Sequence, residues 1–351
     1  MVRAAVYYGR GDIRIEDVSE PSPADDELLL SVAAAGICGT DAHEYAAGPV
    51  QFALPSRSAW GPRGLVPGHE FAGTVISMGR EVTGFSEGDL VASAAGIACG
   101  ECVWCRRSRT NLCERYETVG LQRHGGLAQL CVVPARSCAV VDPAVLSPDA
   151  AALAQPMAIA VHAAGRGGPP EALDVLVIGA GGIGAFLVFV LAQAGARVSV
   201  VETDPSRRSV ATRLGAVAVG PSAVGTHIEP EIVYEVTGSP AGLELALAAL
   251  PRGGRLVAVG LQAAPATVDL RRLSASECEI IGTNALIAAT DLPIALTLLG
   301  RRDDSWADLA PRALALEDLV DEGIRPLAAG RADRIKTLID PWTPQTRSTR
   351  M

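Results

Sequence analysis

The sequence predicts an α/β protein of two domains, a β-rich domain and a doubly wound parallel sheet. Three observations carry this. Residues 1–150 hold short strand patterns separated by Gly, Pro and Asp turns, with little that resembles a long helix. From Val175 onward, strands and helices alternate, as a doubly wound sheet requires. At 351 residues, the chain is long enough to bury two cores.

The second domain is organised around Val175-Leu-Val-Ile-Gly-Ala-Gly-Gly-Ile-Gly184. Its apolar, β-branched run reads as a buried strand, and Ala185 to Ala194 reads as a helix. Between them, Gly179 permits a tight turn, Gly181 lets the backbone approach a pyrophosphate, and Gly184 lets helix pack on strand. Gly182 and Ile183 complete the turn, and an anion would sit over the unpaired N–H groups of the helix start. In a chain with 37 glycines the glycine spacing alone is weak. The strand–turn–helix order strengthens it, and so does Glu202, placed where a carboxylate can accept from the adenosine ribose hydroxyls.

In chain order, strands are expected over Ala4 to Tyr8, Ile13 to Val18, Glu27 to Ala34, Phe71 to Ser77 and Leu90 to Ser93. Helical composition begins at Ser147 and continues through Ile159 to Ala164. After the strand Arg197 to Val201, Arg207 to Leu214 reads as a helix. Ile232 to Gly238 reads as a strand, Leu243 to Leu250 as a helix, and Arg255 to Gly260 and Glu279 to Thr283 as strands. Thr237, Gly238, Gly260 and Leu261 stand at strand ends that face the cofactor crevice of such a sheet; for Thr237 a plain turn role fits equally. Helices are expected near Leu292 to Leu299 and Ala313 to Glu322, then a strand over Arg334 to Asp340 and a loose polar tail over 342–351.

A net charge of −9 and the absence of a basic stripe argue against a nucleic-acid surface. Arg106, Arg107 and Arg109 form only a short cluster. All Lys and Arg positions except Lys336 are arginine. The first residues lack a signal peptide's apolar core, and no apolar stretch is long enough to predict a membrane span. Eight cysteines in such a chain point to metal or thiol chemistry rather than a disulfide scaffold, and so to the cytoplasm.

Two cysteine-bearing groups stand out. Cys99, Cys102, Cys105 and Cys113 lie close together in a loop, the usual donor set of a closed structural zinc site, although an iron–sulfur cluster also uses close cysteines. Cys38, Thr40, Asp41 and His43 form one short turn, and His69 and Glu70 form another. One sulfur, one imidazole and nearby oxygens suit a catalytic zinc with an open position, if the fold brings them together. Cys131, Cys138 and Cys278 sit in apolar contexts and read as core cysteines.

Taken together, Gly-Ile-Cys38-Gly-Thr-Asp-x-His43-Glu-Tyr, Pro-Gly-His69-Glu70-Phe-x-Gly, the four-cysteine lobe and the glycine turn resemble the zinc-dependent medium-chain dehydrogenases. The form Cys-Gly-Thr-Asp-Ala-His-Glu-Tyr is similar to the branch holding 2,3-butanediol, sorbitol and threonine dehydrogenases. The resemblance implies a GroES-like catalytic domain interrupted by a Rossmann-type NAD-binding domain: 1–155, then 156–290, then a return over 291–341. It further implies that Cys38 and His69 ligate the catalytic zinc, with Glu70 a ligand or close to it. Thr40 would hydrogen-bond the alcohol, His43 would pass its proton toward solvent, and Asp41 would orient a histidine ring. The four-cysteine lobe would hold a second, structural zinc. Gln155 stands where the family normally has Glu before Pro, and it is expected to turn its oxygen toward the catalytic zinc. NAD is expected over NADP because Glu202 would repel a 2′-phosphate, although Arg207 and Arg208 lie close by. The implied reaction oxidises a secondary alcohol of a diol or polyol to the ketone, in a homodimer or homotetramer. Alternative substrates are a cyclitol or aminocyclitol, a sugar, or a threonine-like β-hydroxy amino acid. A zinc-independent reductase and a non-catalytic binding protein are the rival classes.

Overall fold

Glu27–Gly36, strand β3, is the spine of the first unit. The β-ladder before it pairs β1 (Val2–Gly9) with β2 (Asp12–Val18). Leu28, Leu30 and Val32 of β3 pack into one core cluster, and Leu29 packs into another with Val2, Ala4 and Val6. Successive side chains of a strand point to opposite faces, so a strand covered on both sides reads as an unbroken apolar run. Helix α1 (Gly39–Ala47) follows, then β4 (Glu70–Met78), β5 (Leu90–Ser93), β6 (Gly96–Ile97), the short α2 (Val103–Arg106) and β7 (Glu117–Thr118). Next come β8 (Leu130–Pro134), β9 (Cys138–Val140), α3 (Pro148–Ala151) and α4 (Ala154–Gly167).

This computed structural model describes residues 1–53, 64–222 and 229–351. The chain divides into Met1–Ala158 with Leu286–Met351 as one unit and Ile159–Ala285 as the other. The breaks therefore fall at 158 and 285, against the expected 155 and 290.

The second unit alternates β10 (Asp174–Ile178), α5 (Gly184–Gln193), β11 (Arg197–Val201), α6 (Pro205–Arg213), β12 (Ala218–Gly220) and β13 (Ile232–Glu235). It continues with α7 (Pro240–Ala249), β14 (Arg255–Ala258), α8 (Leu270–Ala275) and β15 (Glu279–Gly282). The six strands form one sheet in the order β12-β11-β10-β13-β14-β15, and every pairing is parallel. Strands buried on both faces explain why β10, β11 and β13 read as apolar runs rather than as alternations. Asp204 and Ser239 cap α6 and α7 by accepting from the N–H three residues on.

The chain then returns through α9 (Ala288–Gly300), β16 (Arg312–Ala315), α10 (Arg325–Ala328), β17 (Leu338–Asp340) and β18 (Arg347–Ser348). These last strands extend the first unit's sheet, whose order is β18-β16-β17-β3-β4-β5-β9, with β8 also paired to β3. Three expectations fail here. The helix expected over Ala313 to Glu322 is β16 followed by a 3₁₀ turn at Leu316–Asp318 and a π-helical stretch at Leu319–Ile324. Ala and Leu favour helix locally, but β16 lies between β17 and β18, and those ladders decide its conformation.

The tail over 342–351 is not loose. Arg347 reaches Asp149 through both terminal nitrogens at 2.7 and 2.8 Å and Asp340 through Nε at 2.7 Å. The Trp342 indole donates to the Val32 carbonyl, and the Thr349 hydroxyl donates to that of Ala310. The strand expected from Arg334 begins only at Leu338. No described helix is long and apolar enough to cross a membrane.

Candidate functional site

One end of three neighbouring strands builds the first site. Gly36, the last residue of β3, pairs with Glu70 of β4 on one side and with Leu338 of β17 on the other. Cys38 lies just past that pair, His69 just before β4, and Lys336 just before β17. The register therefore gathers residues more than 260 positions apart (Lys336 and Glu70 are 266 apart). Ligand atoms of Cys38, His69 and Glu70 all lie within 4.8 Å of one another. Gly36 leaves room for the Glu70 carboxylate, into which a Cβ would collide. Gly68 sets His69 in place with φ +97°, a conformation L side chains rarely adopt, and a Cβ there would stand 2.7 Å from the Leu127 backbone nitrogen.

Cys38 is the N-cap residue of α1, and Asp41 Oδ2 accepts from the Cys38 N–H at 2.8 Å. That cap places Cys38, Thr40, Asp41 and His43 within two turns. Thr40 Oγ1 is 3.8 Å from the Cys38 sulfur, and His43 is exposed. Asp41 Oδ2 is taken by the Cys38 N–H, and its Oδ1 faces His69 Nδ1 at 4.0 Å, beyond direct hydrogen-bond reach. Gln155 is buried at the start of α4.

Sequence reasoning missed Lys336. Its Nζ is 2.6 and 2.5 Å from the two oxygens of Glu70, and both side chains are almost wholly buried. The one signal was compositional, a single lysine in a chain that otherwise uses arginine. Burial opposes the ammonium, but Glu70 and then Cys38 outweigh it and raise the Lys336 pKa. Burial likewise opposes the His69 imidazolium, yet Cys38, then Asp41 and Glu70, raise it to about 9. Burial raises Asp41. A half-buried cysteine sulfur with a buried imidazole and carboxylate within this reach are the donor set of a divalent zinc ion, which would take the place of the imidazole proton.

The second cluster is local. The ligand atoms of Cys99, Cys102, Cys105 and Cys113 also lie within 4.8 Å of one another. Cys102 Sγ is 3.5 Å and Cys99 Sγ 3.9 Å from Cys105 Sγ. A tetrahedron with metal–sulfur bonds of about 2.3 Å has edges of about 3.8 Å, close to these two separations. Backbone N–H groups of Cys99 and Arg115 donate to Cys113 Sγ, and that of Cys102 donates to Cys99 Sγ. The Glu101 backbone and then Arg115 hold the Cys99 thiol down to about 6. Arg107 and Arg109 stack on Trp104 at 5.8 and 5.4 Å, adding positive charge beside a centre that four thiolates make negative. Of the three cysteines expected in the core, Cys131 is buried, whereas Cys138 and Cys278 are half-buried.

In the second unit, a crevice at the carboxyl ends of β10, β11 and β13 is lined by Gly179, Gly181, Glu202, Arg207, Thr237 and Ser239, among others. Ile183 is the N-cap residue of α5 and Gly184 its first residue. Gly182, Ile183, Gly184, Gly260 and Leu261 are not among the lining residues, and Leu261 is 78% exposed. Glu202 braces the glycine turn as well as facing the crevice: Oε2 accepts from Ala180 N and Oε1 from Asp204 N, each at 2.9 Å. The Arg208 guanidinium is held by the Glu202 and Thr203 carbonyls. That leaves Arg207 as the arginine in the crevice.

A doubly wound sheet with a glycine turn and a terminal acidic residue, joined to a β-rich unit carrying two zinc-type donor sets, defines a class: NAD(P)-dependent zinc oxidoreductases. Comparison with known proteins narrows it. Residues 24–143 match the alcohol dehydrogenase GroES-like domain, and residues 182–299 match the zinc-binding dehydrogenase domain. Over 69% of its length the chain is 33% identical to L-galactonate-5-dehydrogenase of Escherichia coli K12, 71% of which is covered. Over 74% it is 30% identical to the sorbitol dehydrogenase of Bacillus subtilis, 75% of which is covered. The crystal structure of 2R,3R-butanediol dehydrogenase from Bacillus subtilis superposes with a TM-score of 0.85 at 26% identity, covering 97% of this chain and 100% of that one. The chain belongs to the zinc-binding medium-chain dehydrogenases, and its chemistry is NAD- and zinc-dependent oxidoreduction of an alcohol- or polyol-like substrate.

Proposed function

We propose that this enzyme interconverts a vicinal diol or polyol and its ketone. The observation that carries the reading is the Cys38–His69–Glu70 cluster with the Thr40 hydroxyl beside its sulfur. Relatives named for galactonate, sorbitol and butanediol support a substrate with neighbouring hydroxyls, and relatives named for L-threonine support the β-hydroxy amino acid alternative. When bound, zinc lowers the pKa of an alcohol and the nicotinamide accepts hydride. Cys38 and His69 hold the metal, Lys336 holds Glu70, Thr40 takes the alcohol's hydrogen bond, and exposed His43 delivers the proton to water. The four-cysteine lobe holds the structural zinc. NAD⁺ reduction against a panel of diols, polyols, cyclitols, sugars and L-threonine tests the reading. Turnover of simple secondary alcohols alone would overturn it.

Three narrower proposals accompany it. Gln155 turns its amide oxygen to the catalytic zinc; a neutral amide leaves the centre more positive and the metal less tightly held. Gln155→Glu should therefore retain zinc longer against a chelator and raise the apparent pKa of alcohol oxidation. NAD is preferred over NADP because Glu202 lines the crevice. Glu202→Ala should narrow the preference in kcat/KM by about tenfold, the worth of one charged contact. The enzyme is a homodimer or homotetramer, a reading supported by β15, an edge strand of the sheet with Ile280 exposed, and light scattering tests it.

A further inference from the structure

Glu235 ends β13 and is 1% exposed. Its Oε1 accepts from Thr237 N at 2.7 Å, from Gly238 N at 3.1 Å and from the Thr237 hydroxyl. Its Oε2 accepts from Gln262 Nε2 at 3.3 Å and shares the Gly238 N–H. Its main-chain oxygen accepts from Val259 N and Gly260 N. One buried carboxylate thus staples the turn after β13 to the chain leaving β14.

The Thr237 hydroxyl is fully engaged, donating to Glu235 and lying 2.8 Å from the Ser239 oxygen at the cap of α7. With the hydroxyl held there, the Thr237 methyl faces Gly179: a Cβ built on Gly179 would stand 2.7 Å from Thr237 Cγ2. Gly179 has φ +96° and opens the turn that would face a bound pyrophosphate. Thr237 and Gly179 both line the crevice.

We propose that Glu235 is a positioning residue for the dinucleotide, setting the pyrophosphate turn through the Thr237 methyl. The role requires a carboxylate, because both oxygens must accept. An amide would turn an NH₂ against the N–H groups of Thr237 and Gly238 or against the Gln262 amide. The inference rests on the dinucleotide reading of the glycine turn.

The test is calorimetry on the full-length, zinc-loaded enzyme with NAD⁺, ADP-ribose and AMP, alongside steady-state kinetics. Glu235→Gln should weaken NAD⁺ and ADP-ribose by about tenfold each and leave AMP, which lacks the pyrophosphate bridge, within about twofold. The kinetic loss should fall on KM for NAD⁺ rather than on kcat, and Glu235→Asp should recover part of it. Equal weakening of all three ligands, or weakening of none, would overturn the proposal. Should Glu235→Gln fail to fold, Thr237→Val removes the hydroxyl contact alone and should weaken ADP-ribose by about threefold but not AMP; unchanged ADP-ribose affinity there overturns it. A wild-type enzyme that bound none of the three would remove the dinucleotide reading, and this inference with it.

Discussion

The two candidate metal centres of the first unit are assembled in opposite ways. The four-cysteine lobe takes all its donors from Cys99 to Cys113, in a short loop, and of the four only Cys113 is buried. The Cys38–His69–Glu70 centre takes its donors from the ends of β3 and β4, and its Glu70 is held by a lysine 266 residues away. The first centre is a local loop folded around sulfur. The second is a property of the sheet, present only when three strands are in register. The first should therefore survive damage to the second, while the second depends on contacts that no local segment contains.

The sharpest division is catalytic. Cys38→Ala should lower turnover by about three orders of magnitude or more, leave the fold intact, and reduce bound zinc from two per chain to one. Cys102→Ala should instead disorder the lobe and impair folding, because structural zinc contributes folding energy directly. Metal analysis with circular dichroism reads both. Retention of two zinc ions and normal turnover in Cys38→Ala would break the comparison. In wild type, a chelator should strip the catalytic zinc first, since an open site with fewer protein donors holds metal less tightly than a closed tetrahedron of thiolates.

Next in size is the ion pair behind each centre. Lys336→Met leaves Glu70 buried without its cation, which costs about 3 kcal/mol or more. Pairing it with Glu70→Gln should recover much of that loss in denaturant unfolding of the metal-free protein. The counterpart in the lobe is the exposed Arg115–Glu101 pair. Arg115→Ala should leave the unfolding midpoint unchanged, because solvent screens such pairs. Equal effects from Lys336→Met and Arg115→Ala would erase the distinction between a sheet-built and a loop-built centre.

A smaller effect belongs to the C-terminal strand. Arg347→Ala removes two charge-assisted bonds to buried Asp149 and one to Asp340, an expected loss of about 2 kcal/mol. Thermal unfolding checks it. An unchanged midpoint would mean that the tail rides on the sheet without bracing it.

The amino-acid sequence by itself determined what short-range spacing can encode. The glycine turn between β10 and α5, the alternation that makes the parallel sheet, and the four cysteines within one loop were all legible, because each depends on residues that are neighbours along the chain. The sulfurs of Cys102 and Cys105 meet for the same reason. Only the tertiary structure decided the rest. Nothing near Lys336 in sequence points to Glu70, and Arg312–Ala315 looks helical until β17 and β18 flank it. Arg347 and Asp149 are 198 residues apart. Asp41 gives one oxygen to the backbone of its own helix cap, a local contact, and holds the other 4.0 Å from His69 Nδ1, which only the sheet brings near. Strand register sets such pairings, and register is settled by the summed burial and hydrogen bonding of whole ladders rather than by the preference of any one segment.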